Sequence, residues 1–560
     1  MIEKWLDAAK RGEEVWLSDL RESCLSGDGC VSVVCSLIAF DGTVRELPLP
    51  LPRWRDAEER SFVFSYLCAN VFNMLSSLSA RKIVFYLPKG ETDARALLGE
   101  LDEAFALGAA ERGGLGKVVN IADRLCAAFG GGRFAFEIAD GDGRAPQAAG
   151  EDGCSTLVSR LRGAIERSLR GVRCGIDIGG TDIKAVLAVD GKLVCVKEYD
   201  WDPASSPDAE GIIGPIIRIV RLLACCAGGV TPQLAAALRK DAADAEMDEA
   251  ISAAAAVPLD AIGVSFPDIV IRDRIVGFET PKMGGIRACS SDREREFARI
   301  RALKAVLAPL CREGGSIRIT NDGHVAALSA AAEKAWCGEA PELSEGVVAY
   351  ALGTDFGTGF LGADGSIPEC PMEFYCFLLD LGSLPQRLFP GNDLRSTLNE
   401  NSSLPDARRY LAQSAAFRIA MRRDPALLEG FIVRRGDTLE IPPELRKPCL
   451  EHLMGRAEAG DAAAMAVFRE IGRNIGQISR EMEYLLHPRT HLRYLFGRLV
   501  KHPACFELIR EGCREIMPAL VLECADDELA CTDLMRALPD FGVTAAQFGQ
   551  AVGAIYFAEM

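Results

Sequence analysis

No apolar run in this 560-residue chain approaches the roughly 18 residues that a membrane-spanning helix needs. Even Ile251–Pro258, among the longest apolar stretches, is alanine-rich and soon meets Asp260. A surplus of positive charge is also missing: 63 Lys and Arg stand against 80 Asp and Glu, for a net charge of −17. Non-specific binding to nucleic acid or to an anionic membrane is thereby disfavoured, because both depend on basic side chains displacing counterions. There are no CxxC pairs, although there are 20 cysteines. Several, such as Cys35, Cys174, Cys195, Cys225 and Cys226, lie in apolar segments. We expect buried reduced thiols rather than disulfides or zinc ligands. The opening MIEKWLDAAKRGEE has no apolar signal core, so the expected location is cytoplasmic. The rest is 49% hydrophobic and 26% charged, the composition of a globular protein long enough for several cores.

The chain order suggests four parts. Residues 1–140 read as an accessory α/β domain. Cys30–Phe40 is β-branched and apolar, Asp41-Gly42 offers a hairpin turn, and Thr43–Leu49 returns. Ala57–Leu78 reads as a helix, Lys82–Leu87 as a buried strand, and Arg133–Ile138 as a last strand. Residues 141–153, GDGRAPQAAGEDG, read as a linker. Strands and helices then alternate to about residue 365, through parts 154–335 and 336–560.

Three segments carry chemistry. In CGIDIGGTDIKAVLAV, Cys174–Val189, a strand delivers Asp177 to its end and Gly179-Gly180-Thr181 turns into a second strand. Glycines let the backbone approach a ligand and aim N–H groups at an anion, and the threonine hydroxyl adds a donor. Asp177 beside such a nest suits Mg2+, which prefers oxygen ligands and keeps several waters. The plainer reading is a glycine-rich hairpin with a satisfied aspartate. In GTDFGTGFLGADG, Gly353–Gly365, the strand Val347–Leu352 runs into a second such turn, Gly353-Thr354. In SIRITNDGHVAAL, Ser316–Leu328, a strand delivers Asn321 and Asp322 to a helix start. Asp322 is placed there either to take a proton from a substrate hydroxyl or to cap the helix.

Two such strand–turn–strand nests, about 175 residues apart, resemble the actin-like ATPase superfamily. The order DIGGTDIK, GVSFPDIV, ETPKMGG, TNDGHVAAL and LGTDFGTGF is similar to its ROK and hexokinase branch. Gly460-Asp461, Gly472, Gly476 and the ending FGQAVGAIYFA extend the likeness, which covers about residues 172–560. The resemblance implies an α/β fold of two ribonuclease-H-like lobes around a nucleotide cleft, here with an extra N-terminal α/β domain. It implies ATP-dependent phosphorylation of a hexose-like sugar, with ATP and Mg2+ as cofactors. A homo-oligomer is an open option, and neither nucleic acid nor membrane is an implied partner.

By that resemblance Gly179, Gly180, Thr181, Gly353 and Thr354 hold phosphate, and Gly497 in RYLFGRLVK marks the adenosine loop. Asp177 holds Mg2+. Ser265, Thr280, Lys282, Asn321, Asp322 and Glu373 contact the sugar, with Glu369 competing for the last place. Asp322 is the general base. The chain departs from the family in several places. The zinc-binding cysteine cluster and its partner histidine are missing, as is a helix-turn-helix of the repressor members. Asp355 stands where glycine is usual, Pro281 separates Thr280 from Lys282, and the adenosine loop has one glycine where two are usual. Two rival readings follow: a catalytically weak sugar and nucleotide sensor, and an actin-like ATPase serving a protein partner. The N-terminal domain has neither glycine nest nor strand-end acid. Its expected work is assembly, regulation or partner binding, or covering an apolar face of the first lobe.

Overall fold

The structure, a computed structural model, describes residues 2–27, 29–109, 112–141, 156–278, 280–353, 355–382, 405–436, 438–526 and 528–560. Thr354 and residues 142–153 of the expected linker lie outside the described residues.

The N-terminal strands form where alternating and β-branched residues predict them. β1 (Val34–Ile38) and β2 (Val44–Pro48) make a hairpin whose turn places Gly42 at φ 89°. β3 (Lys82–Leu87) runs antiparallel to β1, and β4 (Ala135–Asp140) runs parallel to β3. Helix α1 (Ala57–Ser77) starts at Asp56, whose carboxylate accepts from the N–H groups of Glu58 and Glu59.

The first lobe contains β5 (Val172–Ile178), β6 (Asp182–Val189), β7 (Lys192–Asp200), β8 (Leu259–Phe266) and β9 (Cys311–Asn321). They stand in the order β9-β8-β5-β6-β7, with β5 to β7 antiparallel and β8 and β9 parallel to β5. The second lobe repeats this scheme in β10 (Gly346–Leu352), β11 (Phe356–Gly362), β12 (Leu492–Phe496) and β13 (Val521–Cys524). Their order is β11-β10-β12-β13, with one antiparallel hairpin and two parallel additions. The mixed α/β architecture with two ribonuclease-H-like lobes is therefore present as expected.

Three helices position the lobes: α2 (Asp322–Cys337), α3 (Ala462–Leu486) and α4 (Ala545–Ala558). α4 crosses β5 and β8 so closely that a Cβ at Gly175 or Gly263 would strike the carbonyl groups of Ala551 and Ala554. α2 meets β11 in the same way, because a Cβ at Gly323 would strike the Thr358 carbonyl and one at Gly359 the Gly323 carbonyl. His324 completes that contact: its Nδ1 accepts from Phe360 N–H at 3.0 Å, and burial holds the ring's pKa down at about 4.

The boundary at residue 140 separates sheets but not cores. One apolar cluster runs from Leu17, Tyr66 and Phe72 to Tyr350, Phe377, Ile475 and Leu522. The N-terminal part thus shares its main core with the second lobe, and a smaller apolar cluster joins its Ile121 and Leu125 to Ile269, Ile271 and Val276 of the first. Arg21 and Glu481 of α3 form an ion pair at 2.6 Å within this shared interior. The cysteine expectation needs one correction. Cys337 and Cys531 form a disulfide, their Cα atoms 5.4 Å apart across 194 residues. Glu333 draws the two segments together by accepting from Cys531 N–H, Thr532 N–H and the Thr532 hydroxyl. Among the described residues no helix is long and apolar enough to cross a membrane.

Candidate active site

Strand register builds the site. Asp177 on β5 lies opposite Ser265 on β8, and Phe266 lies opposite Asn321 on β9. Three parallel strands therefore end together, with Asp177 beside Ser265 and Asn321 one residue past Ser265's other neighbour, Thr320, at the usual ligand edge of such sheets. The Ser265 hydroxyl donates to Asp177 Oδ1 at 2.7 Å. Desolvation pushes the Asp177 carboxyl up to about 6. The serine bond opposes that rise, and the negative charge of Asp322 adds to it.

The helix cap falls to Asn321, not Asp322. Asn321 Oδ1 accepts from Gly323 N–H at 2.9 Å, and its Nδ2 donates to the Asp268 carbonyl at 3.0 Å. Asp322 is the first helical residue and remains half-buried, with one carboxylate oxygen also accepting from Gly323 N–H at 2.9 Å. Burial raises its pKa, and the charge of Lys282 opposes that rise. Lys282 also reaches the first glycine turn: a Cβ built on Gly180 would lie 3.2 Å from Lys282 Cε. Gly180 and Thr181 are exposed at the tip of that turn, and Gly179 N–H closes it on the Asp182 carbonyl at 2.8 Å. Thr280 has a local task. Its hydroxyl accepts from Lys282 N–H at 3.2 Å, and its carbonyl accepts from Arg287, so it shapes the turn that carries Lys282.

Glu373 and Glu369 are told apart by their surroundings. Glu369 is exposed and paired with Arg272. Glu373 is half-buried, and its carboxyl is pushed up to about 8, first by desolvation and then by the charges of Asp268, Asp322 and Asp355. Asp355, exposed, thereby connects the second turn to the same recess. Its Oδ1 accepts from Phe356 N–H at 2.9 Å and lies 3.9 Å from Arg408 Nε, a guanidinium that pairs at 2.6 Å with the buried Asp406. Gly353, at the end of β10, accepts from Gln413 N–H at 2.8 Å. Gly497 follows β12 at φ 110°, and a Cβ there would strike the Leu352 carbonyl. The two glycines thus sit at neighbouring strand ends of the second lobe.

Asp268 and Arg408 are site residues that the sequence reading left unassigned. Asp268 lies within the GVSFPDIV motif, which was the available signal. It is buried, accepts from Ile269 N–H at 2.7 Å and Phe278 N–H at 2.9 Å, and desolvation raises it to about 6. Arg408 begins a short helix, Arg408–Leu411, and belongs to no motif, so only the fold brings it to the second turn.

The Glu373 shift gives a stability prediction. A carboxyl raised from 4.5 to about 8 contributes fully below pH 4.5, and that contribution is lost as pH rises through 8. Glu373→Gln, which cannot ionise, should match the wild type near pH 5. Above pH 8 it should be more stable by roughly 1–2 kcal/mol in denaturant titrations. Equal stability at both pH values would contradict the raised carboxyl.

No protein-family model and no curated protein matches the chain. Similar solved structures include a ROK family glucokinase from Streptomyces griseus in complex with glucose and AMPPNP. It is 19% identical, with 69% of this chain and 98% of that chain covered and a TM-score of 0.37. Another is a ROK hexokinase from Thermus thermophilus, 16% identical, with 68% and 98% covered and a TM-score of 0.37. A third is a ROK family transcriptional regulator, 13% identical, with 70% and 81% covered and a TM-score of 0.38. The structures to which this mixed α/β chain is similar thus include sugar kinases and a regulator of the ROK family.

Proposed function

We propose that this chain is a carbohydrate kinase that transfers the γ-phosphoryl group of ATP to a hydroxyl of a hexose-like sugar. The observation that carries the reading is the convergence of Asp177, Ser265, Asn321 and Asp322 at one sheet edge, with Lys282 linking Asp322 to the Gly180 turn. Asp322 takes the proton of the attacking hydroxyl as its oxygen bonds to phosphorus and the bond to ADP breaks. Lys282 offsets charge near that acid. Ser265, Thr280, Asn321 and Glu373 orient the sugar, and at neutral pH a protonated Glu373 can donate a hydrogen bond to it.

In this reading Gly179, Gly180 and Thr181 of one lobe and Gly353 and Thr354 of the other cradle the phosphates, with Gly497 beside the adenosine. The residues fit Mg2+ held as phosphate-bound metal: Asp177 offers a single carboxylate edge of oxygen donors, leaving the other ligands to water and phosphate. Bound there, the ion would neutralise phosphate charge.

A screen of monosaccharides for ATP-dependent phosphorylation tests the proposal. Sugar-stimulated ADP release with a phosphorylated sugar supports it. Binding without turnover supports the sensor, and sugar-independent ATP hydrolysis supports an ATPase that serves a partner. The nucleotide loop has its own test. Gly180→Val places a branched side chain against Lys282, and Mg-ATP affinity should fall at least about tenfold while sugar binding persists. Unchanged nucleotide affinity by calorimetry would remove this turn from the site.

A further inference from the structure

The segment that carries Glu373 is tied at several points to the N-terminal part of the chain. Met372 N–H donates to the Ser77 carbonyl at 2.9 Å, and Glu373 N–H donates to the Ser76 carbonyl at 3.1 Å. Both carbonyls belong to the last turn of α1, whose carbonyl groups have no partner within the helix. One turn earlier Asn73, 1% exposed, grips Leu378 from both sides. Its Nδ2 donates to the Leu378 carbonyl at 3.0 Å, and its Oδ1 accepts from Leu378 N–H at 2.8 Å. Further on, Val15 and Leu17 pair with Leu381 and Leu379 like a short added strand. Elements that precede residue 80 therefore bond backbone groups of Met372, Glu373, Leu378, Leu379 and Leu381.

The same N-terminal part also holds the first lobe. Ile121 and Leu125 are buried with Ile269, Ile271 and Val276, beneath the stacked rings of Phe40 and Phe129, 4.4 Å apart. Those lobe-1 residues belong to the hairpin that leaves Asp268. At its tip Arg272 and Asp273 adopt φ of 49° and 61°, a left-handed turn that favours glycine or asparagine. Strain retained by two such residues calls for contacts that hold it. Arg272 supplies them: it pairs with Asp41 of the N-terminal part and Glu369 of the second lobe, and lies over Phe40.

We propose that the N-terminal part is a positioning element of the sugar recess, which sets Glu373 through α1 and the Asp268 hairpin through the Phe40–Phe129–Arg272 junction. The proposal rests on the kinase reading above. It places the effect of residues 1–140 on sugar affinity rather than on nucleotide affinity or the chemical step.

Steady-state kinetics of full-length variants, with the sugar that the wild type accepts best, test it. Asn73→Ser should raise the KM for sugar about tenfold while kcat and the KM for Mg-ATP stay within about twofold. Arg272→Ala, at the exposed tip of the hairpin, should raise it about threefold, and Arg272→Lys should restore most of the loss. Thermal melts identify any misfolded variant, in which case the Arg272 pair decides alone. Sugar KM unchanged in folded variants, or sugar and nucleotide KM rising together, overturns the proposal while the kinase reading stands. A wild-type chain that neither binds nor phosphorylates any sugar removes both.

Discussion

Asp322→Asn should lower phosphotransfer turnover by about 10²–10⁴-fold, the usual worth of a positioned general base. Sugar affinity should change far less. Asparagine preserves the shape of the side chain and an oxygen for Gly323 N–H, so the start of α2 is retained. What it removes is the ability to accept a proton. Because Asn321 already caps the helix, Asp322 is not spent on that task, and the carboxylate's loss costs little stability. The raised pKa of Asp322 also implies that turnover climbs with pH as this acid ionises, and that the variant loses that climb. Sugar calorimetry beside a coupled kinase assay separates the two effects. Near wild-type turnover in a folded variant would remove Asp322 from the chemistry.

The second large effect concerns the shared core. Arg21 and Glu481 pair at 2.6 Å with side chains 3% and 2% exposed, and Arg21 also donates to Asn70 at 2.7 Å and lies over the Tyr484 ring. Replacing Arg21 by alanine leaves Glu481 buried without its cation. A loss of about 3–5 kcal/mol is expected, read from denaturant unfolding. The double variant Arg21→Met with Glu481→Leu should recover most of that loss, because two apolar side chains need no compensation in that interior. Full stability in the single variant would show that this interior is open to water. The same geometry predicts that a chain begun at Gly153 is insoluble, since the second lobe would expose the apolar face that Leu17, Tyr66 and Phe72 now cover. The N-terminal part is thus expected to be indispensable to folding, whatever else it does.

The sequence by itself determined the local devices. Gly42 and the flanking apolar runs specify a hairpin because few other residues adopt that φ. The Gly179-Gly180-Thr181 turn and the strand-end positions of Asp177 and Asn321 are also local, set by where β-branched runs stop. The repeated strand–turn–strand pattern made the two-lobed fold legible for the same reason. Tertiary structure decided what depends on register and packing. Only the alignment of β5, β8 and β9 brings Ser265 against Asp177, and only burial distinguishes Glu373 from the solvated, paired Glu369. Arg408 reaches Asp355 from a helical segment with no motif, because charge pairs between distant segments leave no periodicity in the chain. The polar run at 141–153 reads as a domain boundary, yet the core continues across it. Apolar periodicity records that a face is buried, and the partner that buries it is fixed only when the chain has folded.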